Sequence, residues 1–218
     1  MNTPIDMAQG TEYSSKNYGN FVIVAYTNKS NVEIEFASTK NRIIARAHHI
    51  RLGAVKDTMM PSIYGVGFVG VGEHRPKLKG KLTKSYQTWF NMMMRCYCEK
   101  LRHTVPTYKD CHVCDEWHNY QNFADWFDIN YIDGMHLDKD IKIDGNKIYS
   151  PSTCKFVTQK ENNVKAWAKN YKFISPHGEV VDVYNLKEFC KGKKIRSTCM
   201  SAVHMGKSKS HIGWTKFQ

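Results

Sequence analysis

Residues 136–163 read HLDKDIKIDGNKIYSPSTCKFVTQKENN and decide which fold we predict. Asp144-Gly145-Asn146 has the residue types of a tight turn, and Ser150-Pro151 ends a connecting loop. Phe156-Val157 then predicts a returning strand. The stretch therefore predicts a short strand, a long connection and a second strand within one small unit.

A helix is predicted directly after the second strand and extends to about Ala168, because Thr158 followed by Glu161 is a capping box. A short hairpin that leads into a helix can direct one strand residue and one helix residue at a common point. Asp138 and Asn162 would form a hard, all-oxygen, half-open site there. Such a site suits Mg²⁺ bound chiefly through water.

These segments resemble the ββα-metal motif (His-Me finger) of phage and intron-encoded HNH homing endonucleases. The motif residues that carry the resemblance are Leu137-Asp138-Lys139-Asp140, Gly145-Asn146-Lys147, Tyr149-Ser150-Pro151, Cys154, Phe156-Val157 and Glu161-Asn162. The upstream segments similar to the family are Met94-Arg95-Cys96-Tyr97, Val113-Cys114-Asp115-Glu116-Trp117 and Asn122-Phe123. The segments that resemble nuclease-associated modular DNA-binding repeats are Asn185-Leu186-Lys187-Glu188-Phe189, Gly206-Lys207 and His211-Ile212-Gly213-Trp214. The resemblance covers about residues 18–218.

The resemblance implies metal-dependent cleavage of DNA phosphodiesters with a single Mg²⁺ or Mn²⁺ ion. Asp138 matches the metal ligand on the strand, and Asn162 matches the ligand on the helix. At the position of the general-base histidine this sequence has Lys139, which departs from the family pattern. A lysine is protonated at neutral pH and cannot accept a proton without strong desolvation.

Two neighbours of Lys139 offer a substitute. On an extended strand His136, Asp138 and Asp140 point to the same face, because side chains alternate with period two. His136 could then act as the base, or Asp140 could join Asp138 on the metal. Alternatively, the hairpin is only a fold element that presents Lys139 and Lys142 to phosphates, and the protein binds DNA without cleaving it.

The charge of the chain indicates a polyanionic partner. It has 218 residues with 32 Lys and Arg against 20 Asp and Glu, a net charge of +12, and double-stranded DNA is the expected partner. The chain has no run of about 18 apolar residues, so no membrane span is expected. Residues 1–20 lack the apolar region of a secretory signal. Seven cysteines without an export signal predict reduced thiols in the cytoplasm, in an infected bacterial host cell if the phage resemblance holds.

The N-terminal part of the chain predicts a tail followed by a small sheet. Residues 1–17 lack periodicity and are expected to be a loosely attached tail. Residues 18–76 form an expected DNA-binding module with three strands, at Phe21 to Thr27, Asn31 to Thr39 and Arg42 to Arg51. We expect His48 and His49, at the end of the third strand, to be surface residues that point to opposite faces.

A glycine-rich segment and a lysine-rich segment follow the sheet. Gly65–Gly72 matches G-x-G-x-x-G, but no strand–helix–strand unit surrounds it, so we expect a flexible connector and no dinucleotide site. The next segment is an ordinary solvated loop or a linker that follows phosphates. The lysines expected to contact DNA there are Lys77, Lys79, Lys81 and Lys84.

Residues 77–170 are expected to form the HNH-like ββα domain, with preceding helices from Thr83 to about Cys98 and from about Asn119 to Asn130. Residues 171–218 predict a hairpin around His177-Gly178 and two short helices packed as a helix-turn-helix. The cations expected to contact DNA in this part of the chain, besides Lys142, are Lys193, Lys194, Arg196, Lys207 and Lys209.

Four cysteines have spacing compatible with a structural zinc site, namely Cys96, Cys98, Cys111 and Cys114. Positions i and i+2 of a helix diverge by about 200°, so Cys96 and Cys98 cannot easily share a metal unless the helix ends before them. A mixed site with His103, His112 or Cys154 is also open. Buried reduced cysteines are the preferred interpretation, and structural zinc is not expected.

Together these patterns predict an α+β multidomain protein with an N-terminal small antiparallel sheet module, a central ββα-metal HNH-like unit and a C-terminal helix-turn-helix-like module. The predicted function is a phage-type HNH-like DNA endonuclease or nickase. The alternatives are a catalytically inactive, sequence-specific DNA-binding regulator on the same scaffold and a protein that binds a host protein.

Overall fold

A computed structural model describes residues 3–143 and 145–217, without the side chains of residues 165–167. Asp144, part of the predicted turn, lies outside the described residues. The chain divides into two compact units, residues 1–131 with 143–154 and residues 132–142 with 155–218. The fold is α+β, and its elements are numbered along the chain. The three-module organisation stays a prediction.

The first unit begins with a four-stranded antiparallel sheet of order β1-β2-β3-β4. The strands are β1 (Glu12–Ser15), β2 (Gly19–Asn28), β3 (Asn31–Phe36) and β4 (Arg42–Ala45). One face of β3 is completely buried in the core of the sheet, as its strict apolar–polar alternation predicts.

Two expectations for this region are wrong. Residues 3–17 are not a loose tail, because β1 pairs with β2 and the side chain of Met7 is completely buried in the core. The third predicted strand ends at Ala45 and is followed by helix α1 (Ala47–Arg51), which contains both His48 and His49. A helix is favoured because it buries Ala47 and Ile50, three residues apart, in the core of the sheet.

The glycine-rich segment is not a flexible connector. The side-chain amide of Gln121 donates to the backbone oxygens of Val69 and His74, both at 3.0 Å, and its oxygen accepts from the backbone N–H of His74. A Cβ atom at Gly70 would overlap the Asn119 side chain. This segment has glycines because side chains of a distant helix pack directly on its backbone.

The predicted lysine-rich linker is a hairpin of β5 (Lys77–Leu78) and β6 (Lys81–Leu82). Helix α2 (Lys84–Tyr97) begins directly after it, and the Thr83 hydroxyl accepts from the Tyr86 N–H as N-cap. The predicted helix from Thr83 to Cys98 is confirmed to within one residue.

The remaining elements of the first unit are α3 (Glu99–Thr104), β7 (His112–Val113), α4 (Tyr120–Asn130) and β9 (Ile148–Tyr149). Helix α4 begins within one residue of its predicted start, and the Asn119 side chain caps it by accepting from the Gln121 N–H. Strand β7 pairs with β9 in parallel. Helix α2 packs against α4.

The second unit contains the strand–connection–strand–helix predicted from residues 136–163. Its elements are β8 (His136–Asp138), β10 (Lys155–Val157) and α5 (Gln159–Trp167). Strands β8 and β10 are antiparallel, and both halves of the capping box at Thr158 and Glu161 are present.

The C-terminal part of this unit is a sheet with two helices. The predicted hairpin is confirmed as β11 (Asn170–Ile174) and β12 (Val180–Tyr184). The two predicted helices are α6 (Leu186–Cys190) and α7 (Ser197–His204). A second hairpin, β13 (Ser210–His211) and β14 (Trp214–Lys216), was not predicted and completes a sheet of order β12-β11-β14-β13.

Within the described residues, no helix has both the length and the apolar character needed to cross a membrane. None of the seven cysteines, all of which lie within the described residues, is in a disulfide.

Candidate metal centre

The β8–β10 pair fixes which side chains share a face. Leu137 is opposite Phe156 in the register, and both are buried, with 9% and 5% of their surface exposed. His136 and Asp138 therefore lie together on the other face of β8, because neighbouring strand residues alternate. That His136 and Asp138 share one face of β8 agrees with the sequence prediction.

Asp138 has one anchored and one available carboxylate oxygen. Its Oδ1 accepts from the backbone N–H of Asp140 at 2.8 Å and of Ile141 at 2.6 Å. Such a turn, closed by an aspartate side chain, orients the carboxylate through fixed backbone donors. Within the described chain, Oδ2 has no donor and can bind a ligand.

Helix α5 positions Asn162. The backbone N–H and hydroxyl of Thr158 donate to Glu161 Oε2, both at 2.8 Å, and the hydroxyl accepts from the Glu161 N–H at 3.2 Å. These bonds lower the pKa of Glu161 and fix the first turn of the helix. One residue later, the half-buried Asn162 side chain has no hydrogen bond among the described residues.

The oxygen atoms of these two side chains are of the chemical type that a hard divalent cation binds. Helix α5 packs against β8, which brings the elements that carry Asp138 and Asn162 together. A carboxylate and an amide oxygen without protein donors are ligands that Mg²⁺ accepts, with water completing its shell. Among the described residues, no group of three or more His, Cys, Asp or Glu is arranged to hold a metal. The donor set is therefore small and depends on Asn162.

Lys139 and Asp140 form an ion pair. Lys139 is buried, with 4% of its surface exposed, and its Nζ donates to Asp140 Oδ1 at 2.6 Å. The strand ends at Asp138, so the expectation that Asp140 shares its face through strand alternation is wrong. The turn that Asp138 closes is the physical reason, because its carboxylate binds the N–H of Asp140. The Asp140 carboxylate neutralises Lys139 instead.

His136 is exposed at the start of β8, and no hydrogen bond of its side chain is found in the described part of the chain. An exposed imidazole on the same face as Asp138 is accessible to solvent and to substrate. Its ring nitrogens can accept a proton, whereas an ammonium such as that of Lys139 has donors only.

The cations predicted to contact DNA all lie at the surface. They are Lys77, Lys79, Lys81, Lys84, Lys142, Lys193, Lys194, Arg196, Lys207 and Lys209. The first four belong to the β5–β6 hairpin and the start of α2 in the first unit. Lys193 Nζ lies 5.2 Å from the centre of the Phe189 ring, a cation–π distance.

The structure does not assemble the four cysteines with zinc-like spacing into a metal site. Cys96 and Cys111 are buried, and Cys98 and Cys114 are half-buried. Burial raises the pKa of the Cys114 thiol, which disfavours the thiolate that zinc requires.

Sequence reasoning missed four lysines that line a groove in the second unit: Lys160, Lys169, Lys187 and Lys191. No local pattern groups them, because Lys187 lies on α6, Lys191 directly follows that helix, and Lys160 and Lys169 belong to other segments.

No family model matches the chain. No curated protein matches it. One solved structure that it is similar to is described as DNA binding and cleavage by the HNH homing endonuclease I-HmuI. That similarity covers 95% of this chain and 97% of the other, at 16% sequence identity and a TM-score of 0.26. Likeness at this level does not determine a function, which has to come from the residues of the site.

Proposed function

We propose that this protein is a metal-dependent HNH-like DNA endonuclease or nickase, of the kind that phages encode. One observation carries the proposal: the carboxylate of Asp138 is oriented by two backbone donors through Oδ1, while Oδ2 has no described donor and Asn162 lies on the adjoining helix. A strand carboxylate and a helix amide are the two ligands that the ββα-metal motif uses. The net charge of +12 supports a phosphate-rich substrate.

Each residue of the candidate site has its own role in hydrolysis. Asp138 and Asn162 would hold one Mg²⁺ or Mn²⁺ ion, which would supply positive charge to stabilise the leaving oxyanion. His136 accepts a proton from the attacking water, since its side chain is exposed and lies on the same face of β8 as Asp138. Lys139 serves the structure of the turn through its ion pair with Asp140.

A second candidate function is sequence-specific DNA binding without cleavage. The observation that favours it is Lys139, which has the family position of the base but is buried and paired with Asp140. In that case the hairpin and helix remain as a scaffold, and the exposed lysines bind the phosphates.

A plasmid-nicking assay with Mg²⁺ or Mn²⁺ separates the two candidates. The endonuclease proposal expects open-circular or linear product from the full chain, and loss of that product in Asp138→Ala and Asn162→Ala with DNA binding retained. Asp182→Asn is the matched control, because this carboxylate is exposed on β12. DNA binding by the wild-type chain without any cleavage would leave only the second candidate.

We propose duplex DNA as the partner and the cytoplasm of an infected bacterial cell as the location. The association constant for DNA should fall steeply with salt, since each neutralised phosphate contributes a slope of about 0.9 in log–log form. An affinity indifferent to salt would favour a host protein as the partner.

A further inference from the structure

Helices α5, α6 and α7 of the second unit line a groove of about 1290 Å³. The groove is therefore larger than a typical pocket for a small ligand, which measures about 300–1,000 Å³. On α5 the lining residues Lys160, Asn163 and Val164 follow the spacing of a single helix face. Asn162, two positions after Lys160, points to a different face of the same helix. The groove is therefore separate from the candidate metal centre but shares a helix with it.

The charge of the groove is strongly positive. Among the described side chains, one acid lines it, Glu188, against five cations, namely Lys160, Lys169, Lys187, Lys191 and Arg196. All five are exposed, and in the part of the chain that the structure describes none forms an ion pair. Cations without carboxylate partners along a concave surface attract a polyanion.

The lining of the groove is suited to a phosphodiester backbone. Ser197 and Ser201 supply hydroxyl groups between the cations. Tyr171, Leu186 and Ile195 also line the groove but pack in the hydrophobic core, so the polar lining is what a strand would meet. Lysine, arginine and serine side chains are the groups that contact phosphates in protein–DNA interfaces.

We propose that this groove binds the phosphodiester backbone of DNA next to the cleavage site. The inference rests on the proposed function, since a DNA substrate is assumed. Because α5 forms a wall of the groove and also carries Asn162, a strand held by Lys160 and Lys187 is fixed relative to the candidate metal ligands. The groove then determines which phosphate reaches Asp138.

The test compares two double variants of the full chain that lose equal charge. Lys187→Gln/Lys191→Gln removes two groove cations, and Lys172→Gln/Lys216→Gln removes two lysines of the neighbouring sheet that do not line the groove. Fluorescence anisotropy with a labelled duplex and with the matching single strand gives the dissociation constant over a series of salt concentrations. The slope of log affinity against log salt counts the phosphate contacts.

In the plot of log affinity against log salt, the slope of the groove variant should be less steep than that of the wild type by about 1.8 on duplex or about 1.4 on single-stranded DNA. The change in the control variant should be smaller. The DNA form that shows the loss is the form held in the groove. Equal behaviour of the two variants on both DNA forms, with wild-type binding intact, would overturn the groove assignment alone. Absence of wild-type binding to any DNA would overturn the proposed function as well.

A second groove pair, Lys160→Gln/Lys169→Gln, repeats the test from the α5 side in case the first variant does not fold. Exposed lysines contribute little to stability, so circular dichroism and melting of all three variants should match the wild type. Loss of slope in both groove pairs is expected, because both line the same surface.

Discussion

Asp138 has two roles, to close the turn through Oδ1 and to bind the metal through Oδ2. Replacing it by asparagine or by alanine separates these roles. Asparagine keeps an Oδ1 acceptor for the N–H groups of Asp140 and Ile141 but puts an amide nitrogen at the open position. Alanine removes both hydrogen bonds, of 2.8 and 2.6 Å. A lost aspartate cap at a helix start, which is a comparable half-buried case, costs about 0.5–2 kcal/mol. We expect about 1–2 kcal/mol of local stability to be lost in Asp138→Ala.

Amide hydrogen exchange measures this cost at the donors themselves. Since about 1.4 kcal/mol is tenfold, the Asp140 and Ile141 amides of Asp138→Ala should exchange about 5- to 30-fold faster. In Asp138→Asn their exchange should be unchanged, while nicking falls at least about 100-fold because the anionic metal ligand is lost. Wild-type nicking by Asp138→Asn, or unchanged exchange in Asp138→Ala, would refute this division of roles.

Three further changes test the fold and the site. Gly70→Ala should destabilise the protein by at least about 1 kcal/mol more than Gly10→Ala in denaturant unfolding, because both have positive φ but only a Cβ at Gly70 overlaps Asn119. The pKa of Glu161 is lowered in the folded state, so the stabilising effect of its carboxylate is present at neutral pH and lost as the pH falls through the folded-state pKa. The difference in unfolding free energy between wild type and Glu161→Gln should therefore shrink in acid. A difference that stays constant with pH would contradict the capping role. His136→Ala should slow nicking by about 10²- to 10⁴-fold if the imidazole is the base, and an unchanged rate would exclude that role.

The starts of three helices could be predicted because their signals are local. Thr83, Asn119 and Thr158 each cap a helix within one turn of chain, and all three caps are present. The alternation of His136 and Asp138 on β8 is equally local. The scaffold of the site was therefore predictable from the sequence.

The errors arose where distant residues or very short elements decide the structure. The glycine segment is fixed by Gln121, about fifty positions later in the chain, and no local pattern contains that contact. Strands β13 and β14 have two and three residues, too few for a period-two pattern to be recognised. Strand β8 ends at Asp138 because its carboxylate accepts from the backbone N–H groups that follow, such as that of Ile141. The positions of these donors depend on backbone geometry that no sequence pattern shows.

Protein cleavage by bound iron tests the central claim most directly, because it reports where a divalent ion sits whether or not DNA is cut. Fe²⁺ with ascorbate and peroxide produces hydroxyl radicals that break the nearest backbone. A metal centre at Asp138 and Asn162 should give breaks around 136–140 and 158–163, which excess Mg²⁺ suppresses and which are absent from Asp138→Asn. Breaks confined to other segments, or unchanged in that variant, would contradict a metal centre at Asp138 and Asn162.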